Sequence, residues 1–234
     1  MTKEVIILAG GLGTRLRNVV QNVPKPMANI NGKPFLEYLL NYLAFYNIEH
    51  VILAVGHKSN VIKKHFKNRF KDILITYSEE KELLGTGGAI KQSLEFTDSE
   101  DVLILNGDTF FDVDLKNFYQ LHKDKNSNLT LALKEMKNFD RYGVIEIDNT
   151  YKITAFLEKK YRNKGLINGG IYLLNKEFFQ SLNLPKKFSF EKDFMEKYYK
   201  DFQFYGMPFF SYFIDIGIPE DYEKAKRDFK EFKY

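Results

Sequence analysis

The stretch Val5-Ile6-Ile7-Leu8-Ala9-Gly10-Gly11-Leu12-Gly13-Thr14-Arg15-Leu16 decides the fold. A short, wholly apolar run that ends in three glycines within four residues reads as a strand buried on both faces, then a tight turn. Bare N–H groups after such a strand can point at a phosphate. In an open α/β sheet that edge is where ligands sit. Arg15 adds a cation whose planar fork suits phosphoryl oxygens. Two familiar glycine loops fail here: the dinucleotide pattern needs glycine where Leu16 stands, and the Gly-Lys-Ser/Thr ending of a P-loop is absent. A plain strand-to-helix turn is the bland alternative, and the polar residues directly after the glycines argue against it.

Working outward, residues 51–55, 73–77 and 102–106 are further short runs of strand character. Between the first two strands, residues 35–46 carry Phe35, Leu36, Leu39, Leu40 and Leu43 at helical spacing. Residues 59–66 and 87–94 are the next crossover helices. This alternation predicts an α/β fold with a doubly wound, mixed, mainly parallel sheet. After Asp114 the pattern loosens, and residues 129–134, 144–147, 153–157 and 171–174 read as strands that extend the sheet. Pro219 opens a last helix, with Tyr222, Ala225, Phe229 and Phe232 as its apolar stripe. Glu220–Lys224 and Glu223–Arg227 are the expected ion pairs of that helix. With no linker, low-complexity stretch or repeat, residues 1–234 read as a single domain.

Composition narrows the function. Of 234 residues, 44% are hydrophobic and 28% charged, so the chain can build a core and is not disordered. Zero cysteines exclude disulfide scaffolds, thiolate zinc sites and cysteine nucleophiles, and a cytoplasmic setting is expected. No apolar run approaches the roughly 18 residues of a spanning helix, so no membrane is expected as a partner. The opening run is too short for a signal peptide's apolar region of about 7–15 residues. The net charge of +4 comes from 29 Lys and six Arg against 31 acids. Those lysines alternate with Asp and Glu, which describes a solvated surface and no nucleic-acid partner. The 37 aromatics are spread along the chain as core filling, and the four histidines show no metal-ligand spacing.

Other segments carry candidate chemistry. Two prolines bracket Lys25 and are expected to hold it in one direction on an extended backbone. Leu84-Gly85-Thr86-Gly87-Gly88-Ala89 is a second glycine turn, either a flat seat for a planar base or a helix start capped by Thr86. Residues 102–106 deliver Asp108 at a strand's C-terminal end, a hard oxygen ligand suited to Mg²⁺ shared with phosphates. An aromatic run carries Asp215, whose burial is costly unless a cation or donor meets it; capping of the last helix is the alternative. Glu158, Lys159 and Asn168 sit at strand ends beside glycines, where an acid and an amide can bond sugar hydroxyls and a lysine a sugar phosphate.

Taken together these residues resemble the sugar-1-phosphate nucleotidylyltransferases over nearly the full chain. The most specific part is residues 10–16 followed at short range by Pro24-Lys25-Pro26-Met27. Asn106-Gly107-Asp108, Tyr142-Gly143-Val144, Glu158-Lys159, Asn168-Gly169-Gly170-Ile171-Tyr172 and Asp215-Ile216-Gly217-Ile218-Pro219 follow in the family's order. The resemblance implies a Rossmann-like nucleotidyltransferase fold. The chain looks like the short catalytic form, without the C-terminal β-helix of some members. The implied reaction is NTP plus sugar 1-phosphate giving NDP-sugar and pyrophosphate. By carry-over, Leu8, Ala9, Gly10, Gly11, Gly13, Thr14 and Arg15 would grip the nucleotide, with Glu80, Gly85 and Thr86 at the base. Arg15, Lys25 and Asp108 would act at the reacting phosphates, and Asp108 and Asp215 would hold Mg²⁺. Gly143, Glu158, Lys159 and Asn168 would bind the sugar phosphate.

In detail the string is most like bacterial D-glycero-D-manno-heptose 1-phosphate guanylyltransferases, which implies GTP as donor and surface polysaccharide synthesis as the destination. Mannose 1-phosphate guanylyltransferases and uridylyl- or thymidylyltransferases are the competing branches. Glu79 or Glu80 can accept from guanine, and a carboxylate can also accept from uracil. Phe188-Ser189-Phe190-Glu191-Lys192-Asp193-Phe194 belongs to the heptose-type pattern with no chemical role assigned. A homo-oligomer is compatible with the chain.

Overall fold

The computed structural model describes residues 1–11 and 23–234. In chain order the elements begin with β1 (Glu4–Leu8), β2 (Asn29–Ile30), β3 (Lys33–Pro34), α1 (Phe35–Phe45), β4 (His50–Val55), α2 (Ser59–Phe66), β5 (Arg69–Phe70) and β6 (Ile73–Glu79). Next come α3 (Gly85–Ser93), β7 (Asp101–Asn106), β8 (Thr109–Phe111), α4 (Leu115–Asp124), β9 (Leu129–Phe139), β10 (Val144–Ile147), β11 (Ile153–Leu157) and β12 (Arg162–Asn175). The chain continues through α5 (Lys176–Ser181), a π-helical turn (Phe190–Met195), α6 (Glu196–Tyr198), β13 (Phe204–Phe209), β14 (Phe213–Asp215) and α7 (Pro219–Asp228).

The mixed sheet has the parallel centre that the sequence predicts. Strands β7, β1, β4 and β6 lie side by side in that order and all run parallel. Val5, Ile6 and Ile7 are fully buried, because alternate residues of β1 enter different layers. Val5 and Ile7 join the core beneath α1 and α7, while Ile6 joins the one beneath α3 and the π-helical turn. Beyond β7 the sheet turns antiparallel through β12, which pairs with β7, β9 and β10. The aromatics fill the two cores: Phe229 and Phe232 of the C-terminal segment pack on Tyr38 and Phe110, and Phe190 and Phe194 stack at 5.0 Å. Each such ring contributes roughly 1.5–3 kcal/mol by burial.

Several details differ from the sequence expectations. Strand β12 is far longer than residues 171–174, because its first half extends over solvent beside β9 with a bulge between Asn168 and Tyr172. Within α7 the ion pairs are Lys224–Asp228 and Glu223–Lys226 rather than Glu220–Lys224 and Glu223–Arg227, and Asp228 also accepts from the Tyr212 hydroxyl. Among the described residues no helix is long and apolar enough to cross a membrane.

Candidate active site

The C-terminal ends of the parallel strands open onto a cavity of about 300 Å³. Leu8, Ala9, Gly10 and Gly11 line it from the end of β1, Asn106 and Asp108 from β7, and Glu80 from β6. Lys25, Gly85 and Thr86 complete the set. Every described residue assigned above to the nucleotide therefore lies on one wall or another of this cavity. Leu12, Gly13, Thr14, Arg15 and Leu16 lie outside the described residues.

Glycine is needed here for space. A Cβ at Gly10 would lie 2.6 Å from Glu80 Oε1 and 3.2 Å from Gly56 N, so a side chain there would push the Glu80 carboxylate aside. A Cβ at Gly107 would lie 2.6 Å from the Leu8 carbonyl, which accepts from Gly107 N–H at 2.9 Å. That approach turns the chain out of β7 and brings Asp108 to the cavity. Burial pushes the Glu80 carboxyl up from its ordinary value, against the Leu84 N–H that donates to Oε2 at 3.0 Å. Glu79 points elsewhere and is held by Ser59 and Lys63. Of the two acids considered for the base, Glu80 alone lines the cavity.

Lys25 is held as the prolines suggest, on a different backbone. Pro24 is extended (φ −67°, ψ 154°), but Lys25–Met27 is one 3₁₀ turn closed by Ala28 N–H on the Lys25 carbonyl at 2.9 Å. Pro26 is accepted because the first helical turn needs no N–H donor there. The turn aims Lys25 Nζ at Asp108 Oδ2, 3.0 Å away, with the lysine side chain only 13% exposed.

Asp215 reaches the same place through strand pairing. Strand β14 runs antiparallel to β8, with Asp215 opposite Thr109, and Ile216 N–H donates to the Asp108 carbonyl at 3.0 Å. Asp215 accepts from Gly217 N–H at 2.8 Å and from the Tyr142 hydroxyl at 3.2 Å. It does not cap α7, whose cap position is Ile218 without a side-chain bond. Burial first, and the Asp108 charge second, push its carboxyl up. Two hard-oxygen donors whose charges oppose each other are suited to a divalent cation. No group of three or more His, Cys, Asp or Glu that could hold a metal occurs among the described residues. A cation here would therefore complete its shell with phosphate oxygens and water, as Mg²⁺ commonly does.

A second cavity of about 630 Å³ adjoins the first and shares Asn106 and Glu191 with it. Gly143, Glu158, Lys159, Asn168 and Asp215 all line it. Glu158 and Lys159 are exposed. Asn168 is already engaged: it accepts from Gly170 N–H and donates to the Tyr172 hydroxyl, both at 2.9 Å. Those bonds shape the β12 bulge, where Gly170 takes φ +75°.

The second glycine turn works differently from the expectation. Thr86 does not cap α3; its hydroxyl donates to Glu191 Oε2 at 2.7 Å and accepts from Phe190 N–H at 2.9 Å. Gly87 and Gly88 face protein, since Cβ atoms there would meet the Phe188 ring at 2.2 Å and the Lys186 carbonyl at 2.3 Å. Glu191 and the Tyr142 hydroxyl are functional candidates that motif spacing missed. Their partners are distant in sequence, and Ser189, which caps the turn through Lys192 N–H at 3.1 Å, was the one local signal near Glu191.

Comparison with known proteins gives the family and the fold. A family model described as "Nucleotidyl transferase" matches residues 4–231. A D-glycero-alpha-D-manno-heptose 1-phosphate guanylyltransferase from Aneurinibacillus thermoaerophilus is 50% identical over 229 residues, covering 98% of this chain and 99% of the relative. A protein of the same name from Campylobacter jejuni is 52% identical over 219 residues, covering 94% and 96%. The crystal structure of HddC from Yersinia pseudotuberculosis superposes with a TM-score of 0.88 at 39% identity, covering 97% of this chain and 99% of that one. A second structure of HddC, complexed with GMP-PN, superposes with a TM-score of 0.85.

Proposed function

Since this chain belongs to the nucleotidyl transferase family, we propose that it transfers a guanylyl group from GTP to D-glycero-α-D-manno-heptose 1-phosphate. The products are the GDP-heptose and pyrophosphate. One observation carries the reading: the two adjoining cavities meet at Asn106 and Glu191, with Asp108 lining one and Asp215 the other. The names of two relatives at 50% and 52% identity support the donor and acceptor.

In this reading the sugar-phosphate oxygen attacks the α-phosphorus in line and pyrophosphate leaves. The protein has little covalent chemistry to perform; it positions two anions and offsets developing charge. Leu8 and Ala9 line the nucleotide cavity, and the backbone donors to the triphosphate come from Gly10 and Gly11, joined by Gly13, Thr14 and Arg15, while Glu80 with the Gly85–Thr86 turn flanks guanine. Lys25 directs its ammonium at the reacting phosphates. Gly143, Glu158, Lys159 and Asn168 hold the sugar phosphate. Asp108 and Asp215 would hold Mg²⁺, which would neutralise phosphoryl oxygens and the leaving pyrophosphate. We assign the whole reaction to one catalytic domain acting in the cytoplasm, and its product to the donors consumed in surface polysaccharide synthesis.

A pyrophosphate-release screen of GTP, ATP, UTP and dTTP against heptose, mannose, glucose and N-acetylmuramate 1-phosphates tests it. The highest kcat/KM is expected for GTP with the heptose. Preference for UTP or dTTP overturns the guanylyl assignment, and preference for mannose 1-phosphate overturns the heptose.

A further inference from the structure

The turn at residues 84–88 and the segment at 186–191 are laced together. Phe188 N–H donates to the Leu84 carbonyl and Gly87 N–H to the Phe188 carbonyl, each at 3.0 Å. Phe190 N–H donates to the Thr86 hydroxyl at 2.9 Å. The missing Cβ atoms of Gly87 and Gly88 let the two segments touch. Neither can shift without the other.

Glu191 sits where this joint meets both cavities. Its Oε2 accepts from the Thr86 hydroxyl at 2.7 Å and the Ser189 hydroxyl at 2.9 Å. Both bonds fall on one oxygen, so Oε1 has no hydrogen-bond partner among the described residues. The residue lies in a π-helical turn anchored by fully buried Phe190 and Phe194. Lys192, Met195 and Glu196 continue from it along the wall of the sugar cavity alone. Single π-helical turns are rare and recur at functional sites.

We propose that Glu191 is a positioning residue that couples the two substrates. It ties the turn beside the nucleotide to the helix beside the sugar and presents Oε1 to a substrate hydroxyl at the seam. The inference rests on the two-cavity reading of the transfer above. A nucleotide that seats the turn at Thr86 fixes Glu191, and the helix that follows is then set for the sugar phosphate. Reciprocity requires that the sugar phosphate tighten the nucleotide by the same factor.

Calorimetric titration tests this with Mg²⁺, α,β-methylene GTP (whose reacting bond is blocked) and heptose 1-phosphate. In the wild-type protein each ligand is expected to tighten the other about tenfold, within the ordinary range of such couplings. In Glu191→Ala that factor falls to within about twofold of one. Thr86→Val, which removes only the tying hydroxyl, loses it as well and serves if Glu191→Ala fails to fold. Retention of the tenfold factor in either folded variant overturns the proposal. A wild-type protein that binds both ligands independently also overturns it while guanylyl transfer stands. Failure of the wild type to bind either ligand removes the guanylyl reading, and the coupling with it.

Discussion

Lys25 Nζ lies 3.0 Å from Asp108 Oδ2, across 83 residues of sequence. The proline-bracketed turn and the glycine after β7 each aim one partner of this pair. The pair keeps a largely buried ammonium and a carboxylate in place at the junction of β1 and β7, where a polyphosphate would take over the lysine and a cation the acid. Asp108→Asn and Lys25→Ala are each expected to lower kcat by about 10²–10³-fold, the loss that follows removal of one preorganised charge-stabilising group. Pyrophosphate release measures the loss, and an unchanged far-UV spectrum separates it from unfolding. Wild-type rates in either variant remove that residue from the mechanism.

Adjacent acids make a sharper comparison. Glu80 lines the nucleotide cavity, and Glu79 is spent on Ser59 and Lys63. A carboxylate facing guanine's N–H donors contributes about 1.5–3 kcal/mol. Glu80→Gln should therefore raise the KM for GTP by roughly 10- to 100-fold, and Glu79→Gln should leave it unchanged. Equal effects at both positions would contradict the assignment of the base to Glu80.

Arg141 Nη2 donates to Asp221 Oδ2 at 2.7 Å, and Tyr142 beside it donates to Asp215. The pair fastens the Tyr142–Gly143 corner of the sugar cavity to the start of α7. Because the arginine is 39% exposed, the pair itself stabilises the fold by less than about 1 kcal/mol. Arg141→Ala is expected to raise the KM for the sugar 1-phosphate several-fold with little change in melting temperature or in the KM for GTP. A variant that loses stability instead, with KM unchanged, would make the pair a structural strap only.

What could be read from the sequence divides along a physical line. Strand β1, helix α1 and the centre of the sheet were legible because their apolar periodicity is local: Val5 to Ile7 are buried by neighbours on both faces whatever follows. Asp108 and Asp215 were legible as acids at strand ends, and the β8–β14 pairing that joins them adds geometry no spacing encodes. The first half of β12 was not legible, since residues such as Arg162, Asn163 and Lys164 alternate no apolar face and are extended by their ladder with β9. The reading of the 84–89 turn as a flat seat for a base does not hold at Gly87 and Gly88, because Phe188 and Lys186 arrive against them from about a hundred residues away. Glu191 stayed without a role for the same reason.

Asp101, at the start of β7, is 3% exposed. Its Oδ1 faces His122 Nε2 and accepts from Asn175 Nδ2, both at 3.2 Å, and Oδ2 accepts from Lys123 Nζ at 2.8 Å. Burial pushes this carboxyl up, but the bonds from His122, Lys123 and Asn175 outweigh it and hold the group well below the usual carboxylate range. The unfolded chain, with a value of about 3.9, then binds the proton more readily than the native state. Stability from this network is complete above that value and is lost as pH falls towards the native one. Lys123 is 45% exposed and partly screened, so the buried His122 carries the larger share. Asp101→Asn is expected to cost about 3 kcal/mol at pH 7, a fall in melting temperature of about 6–12 °C for a chain of this size. The gap between wild type and variant should narrow below about pH 4, as the unfolded carboxylate takes up a proton that the native one does not yet bind. Unfolding followed by circular dichroism at pH 7, 5 and 3.5 measures both effects; a gap that stays constant across that range would show that the aspartate stabilises by packing rather than by charge.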